Sequence, residues 1–230
     1  MSTFRRHGSD IQLHHFEDSS SVSIKVINAS SHDKEIAIFA APPHYNPQGL
    51  EIRVHPWKLL NLGPGQDHEP VRFVNTFQFG VKERHGPGDT RSRRTYQLAY
   101  DRQVWSFHRD HKNKSWVTND GHLPSDARNG VLVFNQADTA VDIGLYNNNC
   151  PLYEYLNVDV QDRVQLDFHP RLYFYAAAAP ITDDQLSVAP TWQIAKQVDI
   201  AGVRSLTVTL HDSQSKYQRV AFTPSHVHKV

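Results

Sequence analysis

Residues 23–39 read SIKVINASSHDKEIAIF, and residues 130–146 read GVLVFNQADTAVDIGLY. Laid over one another at an offset of 107, SIKVIN meets GVLVFN and EIAIF meets DIGLY. Further along, a second frame takes over at an offset of 96. LNL at 60–62 meets LNV at 156–158, FQF at 77–79 meets YFY at 173–175, and TYQLA at 95–99 meets TWQIA at 191–195. The drop from 107 to 96 leaves eleven additional residues in the first stretch, within HYNPQGLEIRVHPW at 44–57. Several matches in one order with a single gap imply an internal duplication. The expected units are residues 20–125 and 129–228, joined near Arg128-Asn129-Gly130.

The local pattern inside both units is that of strands. Ser23–Asn28 alternates, and Val71, Phe73, Phe77 and Phe79 fall at even spacings. Leu166, Phe168, Leu172 and Phe174 do the same, and Leu206, Val208 and Leu210 form a period-two face. Gly63-Pro64-Gly65 and Asn147–Asn149 punctuate these runs as turns. No segment keeps a 3.6-residue apolar period for three turns. The fold class expected is all-β, a β-sandwich of two duplicated units, either in tandem or fused about a pseudo-twofold axis.

Composition removes some functions and leaves others. The 230 residues carry no formal net charge, which gives no support to nucleic acid or an anionic membrane as a partner. The basic loop KERHGPGDTRSRR at 82–94 lacks interleaved aromatics and reads as a solvated hairpin loop, with anion clamping as its functional alternative. The opening MSTFRRHGSD has no apolar segment, and Cys150 is the only cysteine, so a soluble, cytoplasmic protein is expected. Fifteen histidines are the compositional anomaly, eleven of them before Arg128.

Two of these sit three apart in VWSFHRDHKNKSWVTNDGH, 104–122. His108 has a counterpart in His211, and Asp110 in Asp212, whereas His111 has none. The shared part is explained as a hairpin whose turn aspartate accepts backbone N–H bonds. Residues three apart in a strand face opposite sides, and no HExxH or CxxC spacing accompanies the pair, so no metal and no other cofactor is expected. His108, His111 and His55 remain the candidate acid–base residues, because histidine titrates near neutrality.

Trp57, Trp105, Trp116, Tyr100 and Arg109 complete the candidate site, as an aromatic wall with a cation beside it. The leading function expected is binding of a small planar, apolar molecule or a carbohydrate through loops of the first unit. The alternative is a cofactor-independent cyclase, isomerase or lyase working by histidine acid–base chemistry, which leaves no motif. A structural or protein-interaction module is the third reading, and a homodimer is the one macromolecular partnership left open.

Overall fold

The computed structural model describes residues 21–41, 48–83, 94–112, 114–124, 130–177, 195–212 and 220–229, the last of these by backbone alone. Every regular element among them is a strand. The chain runs through β1 (Ser21–Asn28), β2 (Lys34–Phe39), β3 (Ile52–Val54), β4 (Lys58–Leu62), β5 (Val71–Val74) and β6 (Phe77–Glu83). It continues through β7 (Arg94–Ala99), β8 (Gln103–Arg109), β9 (Ser115–His122), β10 (Gly130–Asn135), β11 (Val141–Asn147) and β12 (Cys150–Val158). Last come β13 (Arg163–Asp167), β14 (Arg171–Ala177), β15 (Lys196–Asp199), β16 (Val203–Asp212) and β17 (Val220–Lys229). No helix among the described residues is long and apolar enough to cross a membrane.

The strands form four sheets, with orders β17-β16-β1-β5, β13-β10-β8-β9, β3-β12-β11-β6-β7 and β15-β14-β2-β4. Each sheet combines strands from before and after residue 128. The mixing is closest where strands run parallel. β1 lies against β16 with Ser23 opposite Ser205, and β8 lies against β10 with Trp105 opposite Val133. Parallel neighbours cannot be joined by a tight turn, so these pairings bring together segments distant in the chain.

Alternation then builds one core. Val22, Ile24 and Val26, Ile36 and Ile38, Phe79 and Val81, Trp105 and Phe107, Ile143 and Leu145, and Leu206, Val208 and Leu210 all point inward. They belong to one contiguous apolar cluster that draws on all four sheets. Tyr175–Ala177 lies in β14.

Two buried asparagines hold the ends of their strands in the same way. Asn28 donates through Nδ2 to the carbonyls of His32, Leu62 and Gly63, while its Oδ1 accepts from Ser30 N. Asn135 donates to the carbonyls of Thr139, Val158 and Asp159 and accepts from Ala137 N. Around them Asn28 N donates to Gln66 O and Gly65 N to Asn28 O, as Asn135 N donates to Asp162 O and Gln161 N to Asn135 O. Gly65 and Gln161 both sit at positive φ, +71° and +65°, which lets each tight turn aim its N–H back at the strand.

The 44–57 stretch supplies β3. It forms the edge of the five-stranded sheet, pairing Arg53 with Glu154 of β12. The chain then leaves that sheet: His55 N bonds Leu152 O, whereas Trp57 N bonds Ile38 O at the start of the pairing of β4 with β2.

Candidate functional site

Across the five-stranded sheet one row of paired residues reads Arg53, Glu154, Gly144, Gly80 and Tyr96. Period-two alternation puts these side-chain positions on the face opposite Ile143, Leu145, Phe79 and Val81, and so away from the core. The two central strands carry glycine at this row, which lowers the floor of the face. A Cβ on Gly80 would come within 2.6 Å of Tyr146, and one on Gly144 within 2.7 Å of both Glu154 and the Tyr153 carbonyl.

Into that hollow fit an acid and a phenol. Glu154 is buried, and its Oε1 accepts a hydrogen bond from the Tyr146 hydroxyl. On the other oxygen, His55 Nε2 lies 3.2 Å from Oε2. Arg94 stands on the Oε1 side, Nη2 3.9 Å away, with its guanidinium over the Tyr146 ring at 5.9 Å. Arg94 Nη1 also donates to the Tyr96 hydroxyl at 3.3 Å, and the Tyr96 ring meets Tyr146 edge-on at 5.0 Å.

The electrostatics follow from these contacts. Burial pushes the Glu154 carboxyl up, but hydrogen bonds from His55 and Tyr146 and the electrostatic pull of His55 and Arg94 outweigh it and hold it down at about 2. Burial first, then the bond to Glu154, drives the Tyr146 phenol far above its usual range. Tyr146 is therefore a permanent donor and Glu154 a permanent acceptor near neutral pH. A carboxylate accepts only, so His55 Nε2 is the donor of this bond, and whenever the ring is neutral its lone pair is on Nδ1.

The candidates from the sequence are scattered. His55 joins the Glu154 network, with its side chain 27 % exposed. His108 stacks on Trp116 at 5.3 Å on β8 and β9, away from the core. Its Nε2 donates to Thr118 Oγ1 at 2.9 Å, because the Thr118 hydroxyl hydrogen goes to Asp120, which also accepts from Ser106. His111 is exposed in the turn that follows, where Asp110 Oδ1 accepts from the N–H groups of Lys112 and Lys114 at 2.8 and 2.9 Å.

Trp105 is 9 % exposed and packs on Phe79, and Trp57 meets Phe73 edge-on at 5.0 Å; both rings serve the core. Trp116 and Tyr100 are exposed. Arg109 is held inside, Nε 3.4 Å from buried Glu83, which also accepts from Ser115 at 2.5 Å, and Nη1 3.3 Å from Thr139 Oγ1. His44, most of the basic loop and Trp192 lie outside the described residues. Among the described residues no group of three or more His, Cys, Asp or Glu could hold a metal ion.

Sequence reasoning missed Glu154, Tyr146, Arg94 and Tyr96. The signal that marks them is a glycine inside each of two strand patterns, FQFGVKE and VDIGLYN, since such a glycine points to a close approach. In sequence the chain matches no protein-family model and no curated protein.

Proposed function

We propose that the chain consists of two copies of one unit, 20–125 and 129–228, fused by strand exchange into one β-sandwich. We further propose that it binds a small planar or carbohydrate ligand on the outward face of the five-stranded sheet, beside His55, Arg94 and Tyr96. The sheet orders support the first part. Substituting β10 for β1, β13 for β5, β8 for β16 and β9 for β17 turns the order β17-β16-β1-β5 into β9-β8-β10-β13. The matching substitution turns β15-β14-β2-β4 into β7-β6-β11-β12, leaving β3 as the addition; the pairings put Phe174 in the place of Phe79 and β15 at 196–199 in the place of β7, which departs from the offset of 96. The paired asparagine networks of Asn28 and Asn135 agree with it.

One observation carries the second part: the two corresponding faces differ in chemistry. Ala37 pairs with Leu59 and Tyr175, where Gly144 pairs with Glu154 and Gly80. Phe39 likewise stands in the place of Tyr146. Ala37 and Phe39 pack with Tyr173, Tyr175 and Val54 of β3 as a small apolar cluster. The other face has exchanged this packing for two glycines covered by a buried phenol and acid, with a partly exposed histidine from the 44–57 stretch and a guanidinium held by a tyrosine. Buried charge of this kind adds little stability beyond what apolar packing supplies, and such groups gather at functional sites. Tyr96 offers a ring for stacking, exposed Leu98 lies on the same side of β7, and Arg94 offers a fork for a carboxylate or sugar hydroxyls.

The test is equilibrium binding, by calorimetry, of a panel of aromatic carboxylates and of mono- and disaccharides to the full chain. Saturable binding by one class is expected, weakened by roughly 1–3 kcal/mol in Tyr96→Ala, by analogy with stacked-base truncations. If no member binds at millimolar concentration, or if Tyr96→Ala and Arg94→Gln bind as wild type does, the reading is wrong.

A further inference from the structure

We propose, resting on the ligand site above, that this face catalyses proton transfer: His55 removes a carbon-bound proton from a small planar substrate while Arg94 faces the oxygen on which charge collects. The substrate class is a carbon acid whose carbonyl or ring oxygen can take up negative charge, and the reaction class is isomerisation or elimination without a redox partner.

The geometry assigns the roles. His55 is joined through Nε2 to a carboxylate, which fixes the ring orientation and leaves the lone pair on Nδ1. That pairing is the arrangement by which an acid positions a histidine base without taking the proton itself. Glu154 cannot serve as the base. Tyr146 and His55 hold one oxygen each, and burial keeps it below the surface of the face. It is a positioning residue, and Tyr146 positions it in turn. Arg94 stands at the oxygen of the same carboxylate that His55 does not hold. The Tyr96 hydroxyl steadies the guanidinium there.

A site for binding alone needs no ionised acid beneath its histidine. The corresponding face, with Leu59 and Phe39 in these places, forms its sheet without one.

In the chemical step His55 Nδ1 takes the proton, and the C–H electron pair becomes the new π bond. The displaced pair comes to rest on oxygen opposite Arg94. In an isomerisation the imidazolium returns the proton to another carbon of the conjugated system. In an elimination the oxygen departs and the proton is lost to water. Both balance without an oxidant or reductant. Positioned general bases contribute about 10²–10⁴-fold.

The probe is 5-nitrobenzisoxazole, a planar carbon acid. Loss of its ring C–H proton forms a nitrile, breaks the N–O bond and releases coloured 2-cyano-4-nitrophenolate. With the full chain, saturable turnover is expected, with kcat at least about 10²-fold above the rate with imidazole at the same concentration. His55→Gln keeps a donor for Glu154 but has no basic nitrogen, so it should lose that advantage with KM unchanged and the thermal midpoint preserved. Glu154→Gln should lower kcat by less, as expected of a positioning group. Saturation by wild type with a kcat equal to that of His55→Gln would overturn the proton-transfer role and leave the ligand site standing. Absence of saturation, together with no binding by the carboxylate and sugar panel, would overturn both.

Discussion

His55 Nε2 and Glu154 Oε2 lie 3.2 Å apart although 99 residues separate them in the chain. The contact exists because β3 adds to β12 at the edge of the five-stranded sheet, which ties the 44–57 stretch to a strand far along the chain.

That contact makes acid stability measurable. The Glu154 carboxyl is held at about 2 in the folded state against an ordinary 4.5. A depressed folded value stabilises the protein above the unfolded value, and this contribution disappears as pH falls from 4.5 towards 2. The 2.5-unit difference corresponds to about 3 kcal/mol. In denaturant unfolding at stepped pH, Glu154→Gln should flatten the loss of stability across that window. An unchanged slope would show that Glu154 is not held ionised by its neighbours.

The glycine floor should tolerate no methyl group. Gly144→Ala would press a Cβ against the Tyr153 carbonyl, which is backbone and cannot rotate aside. We expect a loss of about 1–3 kcal/mol in unfolding free energy. Gly80→Ala meets the Tyr146 ring instead and should displace its hydroxyl from Glu154, moving the acid transition upward as well.

Asn28→Ala and Asn135→Ala should be costly to a similar degree. Each strips partners from three carbonyls, and an unpaired buried polar group costs about 1–3 kcal/mol. Unfolding free energies that fall by at least 2 kcal/mol in both, and within about 1 kcal/mol of each other, are expected. A large effect at one and none at the other would count against two copies of one unit.

The tryptophans should separate by role. Trp105→Ala removes a buried ring packed on Phe79 and should cost about 3–5 kcal/mol. Trp116, 41 % exposed and stacked on His108, should cost under about 1 kcal/mol when truncated. Chemical denaturation of the two variants reads both values.

Strand content was legible because alternation is a local property. Leu206, Val208 and Leu210 declare their inward face within a few residues, and Phe73 and Phe79 do so in the separate strands β5 and β6. The turn at Asp110 was legible for the same reason, since its bonds reach only Lys112 and Lys114. The network around Glu154 was not. CPLYEYLNV shows one acid in an otherwise ordinary strand, and nothing in those nine residues names a partner in β3 or β7. His55 drew attention as one histidine among fifteen, and its role depends on a strand pairing between distant segments. Of the aromatic wall expected from Trp57 and Trp105, Trp105 is buried against Phe79 and Trp57 lies partly buried against Phe73, because a large ring near a loop is as readily turned inward.

The parallel match of Ser23 with Ser205 also sets a timetable. A ribosome adds about 5–20 residues per second, so β1 is synthesised roughly 10–40 s before β16. Throughout that interval the edge meant for β16 has no neighbour, and the sheet of β17, β16, β1 and β5 cannot close. Nascent chains stalled before β16 should therefore be protease-sensitive and dependent on chaperones, and protection should arrive late in translation and all at once.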